Sequence, residues 1–272
     1  MEKYVLPLGL SVGFCKKGFY ETIAEASEMG IKYVDFDISG CRAHKYKEFF
    51  YYKKLEKGIQ AIAGAGLKIN AVHLSFGWRW DPSELDEKKR RKIVEKIVKT
   101  IKTVDHCKPF GYVLHGSFEP IADKKREEKK QALLRSLPEI CAATERFVCL
   151  EILPRTCLLN TSAEASEILE KANISNLKLC LDTNHFLREK TEDAVLALGK
   201  NVVTLHVSDH DYLNERHWLP GKGKIDWNAT LAALEKTGYK GVFNYEVDRV
   251  TPKIISENYQ KLFSDYNEGR EE

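Results

Sequence analysis

What most constrains this chain is an alternation that runs its whole length. Short apolar, β-branched runs are each followed by a longer stretch of helical periodicity, the pattern of successive β-α units in a parallel sheet. The runs that read as strands lie near Leu6 to Val12, Tyr33 to Ile38, Lys68 to Leu74, Tyr112 to His115, Phe147 to Ile152, Leu177 to Asp182, Val202 to Val207 and Val242 to Val247. There are eight, the number at which such a sheet closes on itself, so the expected fold is α/β, a single (β/α)8 TIM barrel. The 272 residues suit one such barrel, and 1–272 is expected to be a single domain.

Local signals refine this reading. Between the third and fourth strands, Ile93, Val94, Ile97, Val98, Ile101 and Val104 recur at three- and four-residue steps, an apolar stripe on one helix face. The basic run Lys88 to Lys92 then reads as the solvated face. Asp81, Pro82 and Glu84 supply a cap, a first-turn proline and an acid for the helix dipole, which predicts that the helix begins there. Thr161 with Glu164 reads as a capping box, and the mixed charges from Asp123 to Lys130 suit an exposed helix with ion pairs.

Composition excludes several classes of function. The 43 basic and 40 acidic side chains nearly cancel, so no overall field exists to hold a polyanion or an anionic membrane. Nucleic acid is therefore not expected as a partner. The seven cysteines are an odd number, scattered and without a C-x-x-C pair, which fits reduced thiols. No apolar run is long enough to span a bilayer, and Met1-Glu2-Lys3-Tyr4 does not open a signal peptide, so a cytoplasmic protein with no membrane partner is expected.

In a barrel of this kind reactive side chains sit where strands end at the C-terminal face. His73, His115, Glu151, Asp182, His206 and Glu246 close strands three to eight, each after a run such as Phe-Val-Cys-Leu-Glu or Val-Thr-Leu-His. One such residue alone reads as a hydrogen-bonded rim residue. A ring of them requires compensation, because buried charges cost several kcal/mol and converging carboxylates repel. A divalent metal supplies it. Oxygen ligands with one imidazole suit Mg or Mn, and further histidines shift the choice towards Zn, Co or Fe. His44 and His106 fall on helical or loop stretches and read as structural.

The segment after strand seven, His206 to Trp227, is long and polar and lies over this ring. Pro220, Gly221 and Gly223 read first as a turn into the next helix rather than a phosphate cradle. Arg216 offers a guanidinium fork for a substrate hydroxyl, carboxylate or phosphate, with a surface ion pair as its other use. The loop Phe76-Gly-Trp78-Arg79-Trp80 presents aromatics suited to a sugar pocket or to a homodimer contact ahead of a base-stacking wedge for DNA.

These residues carry a family resemblance. Cys-Leu-Asp182-Thr-Asn-His185, His206-Val-Ser-Asp209, Arg216-His-Trp-Leu-Pro-Gly-Lys-Gly-Lys-Ile-Asp-Trp227 and Asn-Tyr-Glu246 together resemble the xylose-isomerase-like barrel superfamily, in particular its sugar phosphate isomerases and ketose 3-epimerases. The resemblance covers nearly the full length. It implies that Glu151, Asp182, His206 and Glu246 bind one divalent metal (Mn, Mg, Co or Zn), with no nucleotide cofactor. It further implies substrate contacts at His185 and Arg216, joined here by His73 and Trp78, and an acid/base pair in Glu151 and Glu246. The reaction implied is proton transfer beside the carbonyl of a small sugar or sugar phosphate, through an enediolate.

A second relative in the superfamily, the endonuclease IV group of abasic-site nucleases, holds three zinc ions. Its ligands can be matched at His73, His115, Glu151, Asp182, His185, His206, His217 and Glu246, with Glu215 where that group has an aspartate. Additional metal positions at His115, Glu215 and His217 follow from this alternative. The near-neutral charge argues against it, since a duplex binder needs several cations placed for phosphates. Inositol-pathway dehydratases also belong to the superfamily and imply lyase chemistry as a further alternative.

Overall fold

The computed structural model describes residues 3–13, 18–38 and 48–270, with the side chains of 48–50 left aside. The strands are β1 (Leu8–Ser11), β2 (Tyr33–Asp37), β3 (Lys68–His73), β4 (Gly111–Leu114), β5 (Phe147–Glu151), β6 (Leu177–Asp182), β7 (Val202–His206) and β8 (Phe243–Tyr245). Helices follow them in turn: α1 (Phe19–Glu28), α2 (Glu48–Gly64), α3 (Glu87–Val104), α4 (Asp123–Cys141), α5 (Ser162–Ala172), α6 (Thr191–Leu198), α7 (Trp227–Thr237) and α8 (Pro252–Glu268). This is a (β/α)8 barrel, as the alternation predicts. The expected strands are all present, with ends trimmed by a residue or two where side chains continue past the ladder.

All pairings are parallel and run β7-β6-β5-β4-β3-β2-β1-β8. The circle closes through one bridge, Val207 to Tyr245, where Val207 N–H donates to Asn244 O at 2.8 Å and Glu246 N–H to Val207 O at 2.9 Å. Closure therefore falls at the base of the two strand ends that carry His206 and Glu246.

The main core lies between strands and helices, built from residues such as Val34, Phe36, Ile97, Ile101, Leu150, Leu179 and Phe243. Full burial of each such side chain contributes about 1.5–3 kcal/mol. Inside the barrel a separate small cluster of Ala71, Val113, Cys149 and Cys180 fills the narrow interior. Because strand side chains alternate, the residues two further on, His73, His115, Glu151 and Asp182, face the same interior one layer higher.

Three expectations need correction. The helix after strand three starts at Glu87, with Asp86 capping Lys89 N–H, and not at Asp81. Asp81 is buried, where its carboxylate accepts from Ser83 N–H at 2.9 Å and pairs with Lys129 Nζ at 2.6 Å, so it fastens the loop to α4. Arg90, inside the run read as solvated, is buried too, because its guanidinium reaches Ser136 Oγ at 2.7 Å and Glu87 Oε1 at 2.7 Å. Thr161 does cap α5, but Glu164 turns instead to Leu159 N–H and Arg126. His106 pairs at the surface with Glu56 at 3.0 Å, and His44 lies outside the described residues. No helix among the described residues is long and apolar enough to cross a membrane.

Candidate metal centre

The strand-end residues converge. Glu151, Asp182, His206 and Glu246, all buried, each bring one ligand atom to within 4.8 Å of the others. Parallel register produces this directly, because Asp182 stands opposite His206 across β6–β7 and Glu246 follows the bridge that closes the barrel.

Glu151 is the hub. Its Oε2 meets His73 Nε2 at 3.1 Å and His115 Nε2 at 2.8 Å, while Oε1 meets His206 Nδ1 at 2.9 Å. Burial alone would raise its pKa, but the imidazoles of His115 and His206 hold the carboxyl well below the usual range. Two imidazoles sharing one oxygen also repel each other. Burial lowers His115, whereas in His73 the hydrogen bond and charge of Glu151 overcome burial and lift it to about 9.

Asp182 shows the opposite balance. Burial raises its pKa to about 6 against the pull of His185, and the charges of Glu246 and Glu151 add to the rise. Its Oδ1 accepts Asn184 N–H at 2.8 Å, but its Oδ2 is buried without a hydrogen-bond partner, as is Glu246 Oε2. Glu246 Oε2 lies 2.7 Å from His206 Nδ1 without hydrogen-bond alignment. Ionised carboxylate oxygens only accept, so two of them buried, turned to one point and met only by imidazoles without a hydrogen bond, His185 at 3.3 Å and His206 at 2.7 Å, form a site that a cation would complete. The donor set therefore fits a divalent ion, to which His206 would present Nδ1 while Nε2 faces Asp35.

A sequence profile described as "Xylose isomerase-like TIM barrel" matches residues 23–263. The chain belongs to the xylose isomerase-like TIM barrel family. It is 28% identical over 179 residues to an inosose isomerase of Bacillus subtilis (strain 168), a match covering 60% of this chain and 63% of that protein. It is 29% identical over 127 residues to a D-psicose 3-epimerase of Enterocloster bolteae, covering 44% and 40%. The chain thus spans less than two thirds of the length of these curated relatives. Its structure is similar to that of the IolI protein with a binding zinc atom, at a TM-score of 0.76 and 19% identity, covering 97% of this chain and 99% of that one. At that identity the likeness establishes the fold.

Around the cluster of this xylose isomerase-like barrel, the other expected residues divide. His185 is buried beside it, 3.3 Å from Asp182 Oδ2, donating through Nδ1 to Ile152 O at 2.6 Å and reaching Glu215 Oε1 through Nε2 at 3.0 Å. Burial would lower its pKa, but Asp182 and Glu215 lift it to about 10. Glu215 is held in turn by Arg155 Nη1 at 2.5 Å, and it therefore steadies His185. His217 turns Nδ1 to Glu246 O at 3.1 Å with its ring edge-on to His185. Arg216 is not free in this arrangement, because Nε and Nη2 both engage Asp211 Oδ2, at 2.9 and 2.8 Å. Trp78 is 65% exposed under Arg79 and makes no stacking contact with the cluster, whereas Phe76 stacks on His115 at 4.5 Å.

Sequence reasoning missed Asp35. It is fully buried in β2, its Oδ2 3.3 Å from His206 Nε2 and its Oδ1 accepting from Asn70 Nδ2 at 2.8 Å and Ala71 N–H at 3.0 Å. A β-bulge places Asn70 and Ala71 together opposite it. The available signal was Tyr-Val-Asp-Phe-Asp, two carboxylates at alternate positions of a strand otherwise suited to burial. Asp209 was also missed as an organiser of the β7–α7 segment.

Proposed function

We propose that this chain is a metal-dependent sugar or sugar phosphate isomerase or epimerase. The observation that carries the reading is the pair of buried oxygens without a hydrogen bond, Asp182 Oδ2 and Glu246 Oε2, gathered with Glu151 and His206 within 4.8 Å of one another. Glu151, Asp182, His206 and Glu246 would hold one divalent ion, Mn, Mg, Co or Zn, which supplies Lewis-acid stabilisation of negative charge developing at a substrate oxygen. The names of the sequence relatives, inosose isomerase and D-psicose 3-epimerase, support the reaction class, and the zinc of the IolI structure supports the metal.

The chain's own residues carry the proton. Glu246 or Glu151 takes it from the carbon beside the carbonyl, and the C–H electrons move into the enediolate of the sugar. The opposite glutamate, having taken up a proton from water, delivers it to the other face of that carbon while the first glutamate releases its own to solvent, giving the epimer; delivery at the neighbouring carbon gives the isomer. Both carboxyls have pKa values held down by adjacent imidazoles, so each is ionised and able to act as a base. His185, with Nδ1 bonded to Ile152 O and Nε2 paired with Glu215, contributes a fixed positive charge beside the substrate rather than a free N–H, and His73 packs against Phe76 close by. Release of a neighbouring hydroxyl after the first step would give a dehydratase, which product analysis separates.

The test is proton exchange. Metal-loaded protein in heavy water, given a panel of ketoses, ketose phosphates and inososes, should wash deuterium into the carbon beside the carbonyl of one of them. Glu246→Gln should stop this with the fold retained. No exchange anywhere in the panel overturns the proposal. The trio His73, His115 and Glu151 also has ligand geometry, which favours a second, multi-metal reading as a phosphodiesterase. Metal analysis separates the two: one ion per chain supports the sugar enzyme, and two or three with nicking of an abasic duplex supports the other.

A further inference from the structure

At the opposite end of the barrel, among the residues that precede the strands, lies a cavity of about 590 Å³. Its walls are apolar: Ile59 and Ile62 of α2, Leu67 before β3, Phe110 before β4 and Val242 before β8. Its remaining lining includes Lys68, Lys108, Arg146 and Lys240 and, among the described residues, no carboxylate. A neighbouring hollow of about 360 Å³ shares Phe110, Lys240 and Gly241 with it and adds Lys200.

Chemistry limits what such a site can take. The volume is within the roughly 300–1,000 Å³ of small-molecule sites, and the apolar walls favour a hydrocarbon body. The cations select a negative head. Asp105, bonded to Tyr112 Oη at 2.8 Å and Thr144 Oγ1 at 2.7 Å, and Glu56, paired with His106 at 3.0 Å, make no ion pair with these cations. Phe110, resting edge-on against Phe147, is 44% exposed at the mouth, an apolar surface that water otherwise covers. Across the length of the barrel, the metal cluster shares no residue with this lining.

We infer that the N-terminal face of the barrel binds an anionic amphiphile, a molecule with one carboxylate- or phosphate-like head and an apolar chain or ring system. The chain lies against Ile59, Ile62 and Phe110, and the head meets Lys68 and Lys240. Binding here does not depend on the metal cluster or on the reaction proposed for it.

Calorimetric titration of the full chain with hexanoate, octanoate and decanoate tests this. Binding should be saturable at one per chain and tighten roughly threefold to fourfold per methylene, and 1-decanol should bind at least tenfold more weakly than decanoate. Lys68→Glu with Lys240→Glu should weaken decanoate at least tenfold and leave decanol unchanged, while Ala63→Trp, which fills the cavity from its exposed side, should weaken both. Should either variant unfold, the methyl resonances of Ile59 and Ile62 in the unaltered protein decide: they should shift on titration. The inference is overturned by absent saturation, by binding indifferent to these substitutions, by unmoved methyl signals, or by association only with phosphatidylglycerol vesicles, which would mark a membrane-facing surface instead.

Discussion

Asp35 Oδ2 lies 3.3 Å from His206 Nε2 with both side chains buried, and this contact leaves the other ring nitrogen, Nδ1, facing Glu151 and Glu246. A carboxylate behind an imidazole fixes its tautomer and increases its basicity towards a metal. Asp35 is itself fixed by Asn70 and the Ala71 N–H, so the ring orientation is set by β2 and the β3 bulge rather than by the metal.

Asp35→Asn removes that charge while keeping the side-chain shape. The expected result is a loss of roughly 10–100-fold in divalent-metal affinity, measured by calorimetric titration of Mn or Zn into chelator-treated protein. Unchanged affinity would show that His206 is not a ligand oriented by Asp35.

Chelation and the substitution Asp182→Asn should interact. Without metal, the burial-raised pKa of Asp182, about 6, lies above its unfolded value, so the protonated form is favoured in the fold. The stability it contributes is full below the unfolded pKa of about 3.9 and is lost as pH rises through 6. Metal-free Asp182→Asn should therefore be at least as stable as the parent at pH 7.5. Saturating metal at 100 times Kd should add about 2.7 kcal/mol to the parent and much less to the variant. Thermal unfolding with and without chelator at pH 5 and 7.5 reads all four states; equal metal stabilisation in both proteins removes Asp182 from the ligand set.

Much of this site was legible because strand periodicity and ligand position obey the same rule. Once a run such as Phe147-Val-Cys-Leu-Glu151 is a barrel strand, its last inward residue lies at the C-terminal mouth, so the ring of strand-end residues followed from pattern, and the family resemblance singled out Glu151, Asp182, His206 and Glu246 within it. Asp35 was hidden because its role depends on a bulge in a different strand, which no local pattern announces. Arg216 shows a similar limit. A guanidinium has equal chemical claim to a substrate and to a nearby carboxylate, and only the loop's path brought Asp211 within 2.8 Å. The false start at Asp81 arose because Asp-Pro-x-Glu satisfies helix-capping preferences, while a tertiary partner, Lys129, recruited the aspartate.

His210 should make the protein sensitive to mild acid. It is fully buried, its Nδ1 accepts Tyr212 N–H at 3.1 Å, and burial lowers its pKa to about 4, outweighing the pull of Asp209 and Asp211. With the folded pKa below the unfolded value of about 6.5, the neutral ring is favoured in the fold. Its contribution is present above pH 6.5 and is lost as pH falls towards 4. Allowing for solvent screening, the loss is about 1–2 kcal/mol. Urea unfolding of the parent and of His210→Gln at pH 7 and 4.5 should show a smaller pH difference in the variant; parallel pH responses would assign the acid sensitivity elsewhere.

The segment that carries Arg216 and His217 hangs on Asp209. This buried carboxylate accepts from His210 N–H at 2.8 Å, Gly221 N–H at 2.8 Å, Ile225 N–H at 3.2 Å and Trp227 Nε1 at 3.0 Å. Asp209→Ala would orphan four donors; those of His210, Ile225 and Trp227 are buried, each costing about 1–3 kcal/mol when unpaired, while the exposed Gly221 N–H can turn to water. The sum will fall short of additivity, so a loss of at least about 3 kcal/mol is expected. Gly223→Ala attacks the same arrangement sterically, because an added Cβ would stand 2.2 Å from Asp209 Oδ1 and 2.3 Å from His210 O, neither of which can retreat. Gly221 differs, since at φ +85° a side chain there meets open space but a strained backbone, costing about 1–2 kcal/mol. Denaturant titrations should rank the losses as Asp209→Ala and Gly223→Ala above Gly221→Ala, and hydrogen exchange should show residues 209–227 opening first in the two severe variants. If Gly223→Ala unfolds at the parent's midpoint, the glycines of this segment do not serve to pack the backbone on Asp209, and a cradle for a bound ligand becomes the better account of them.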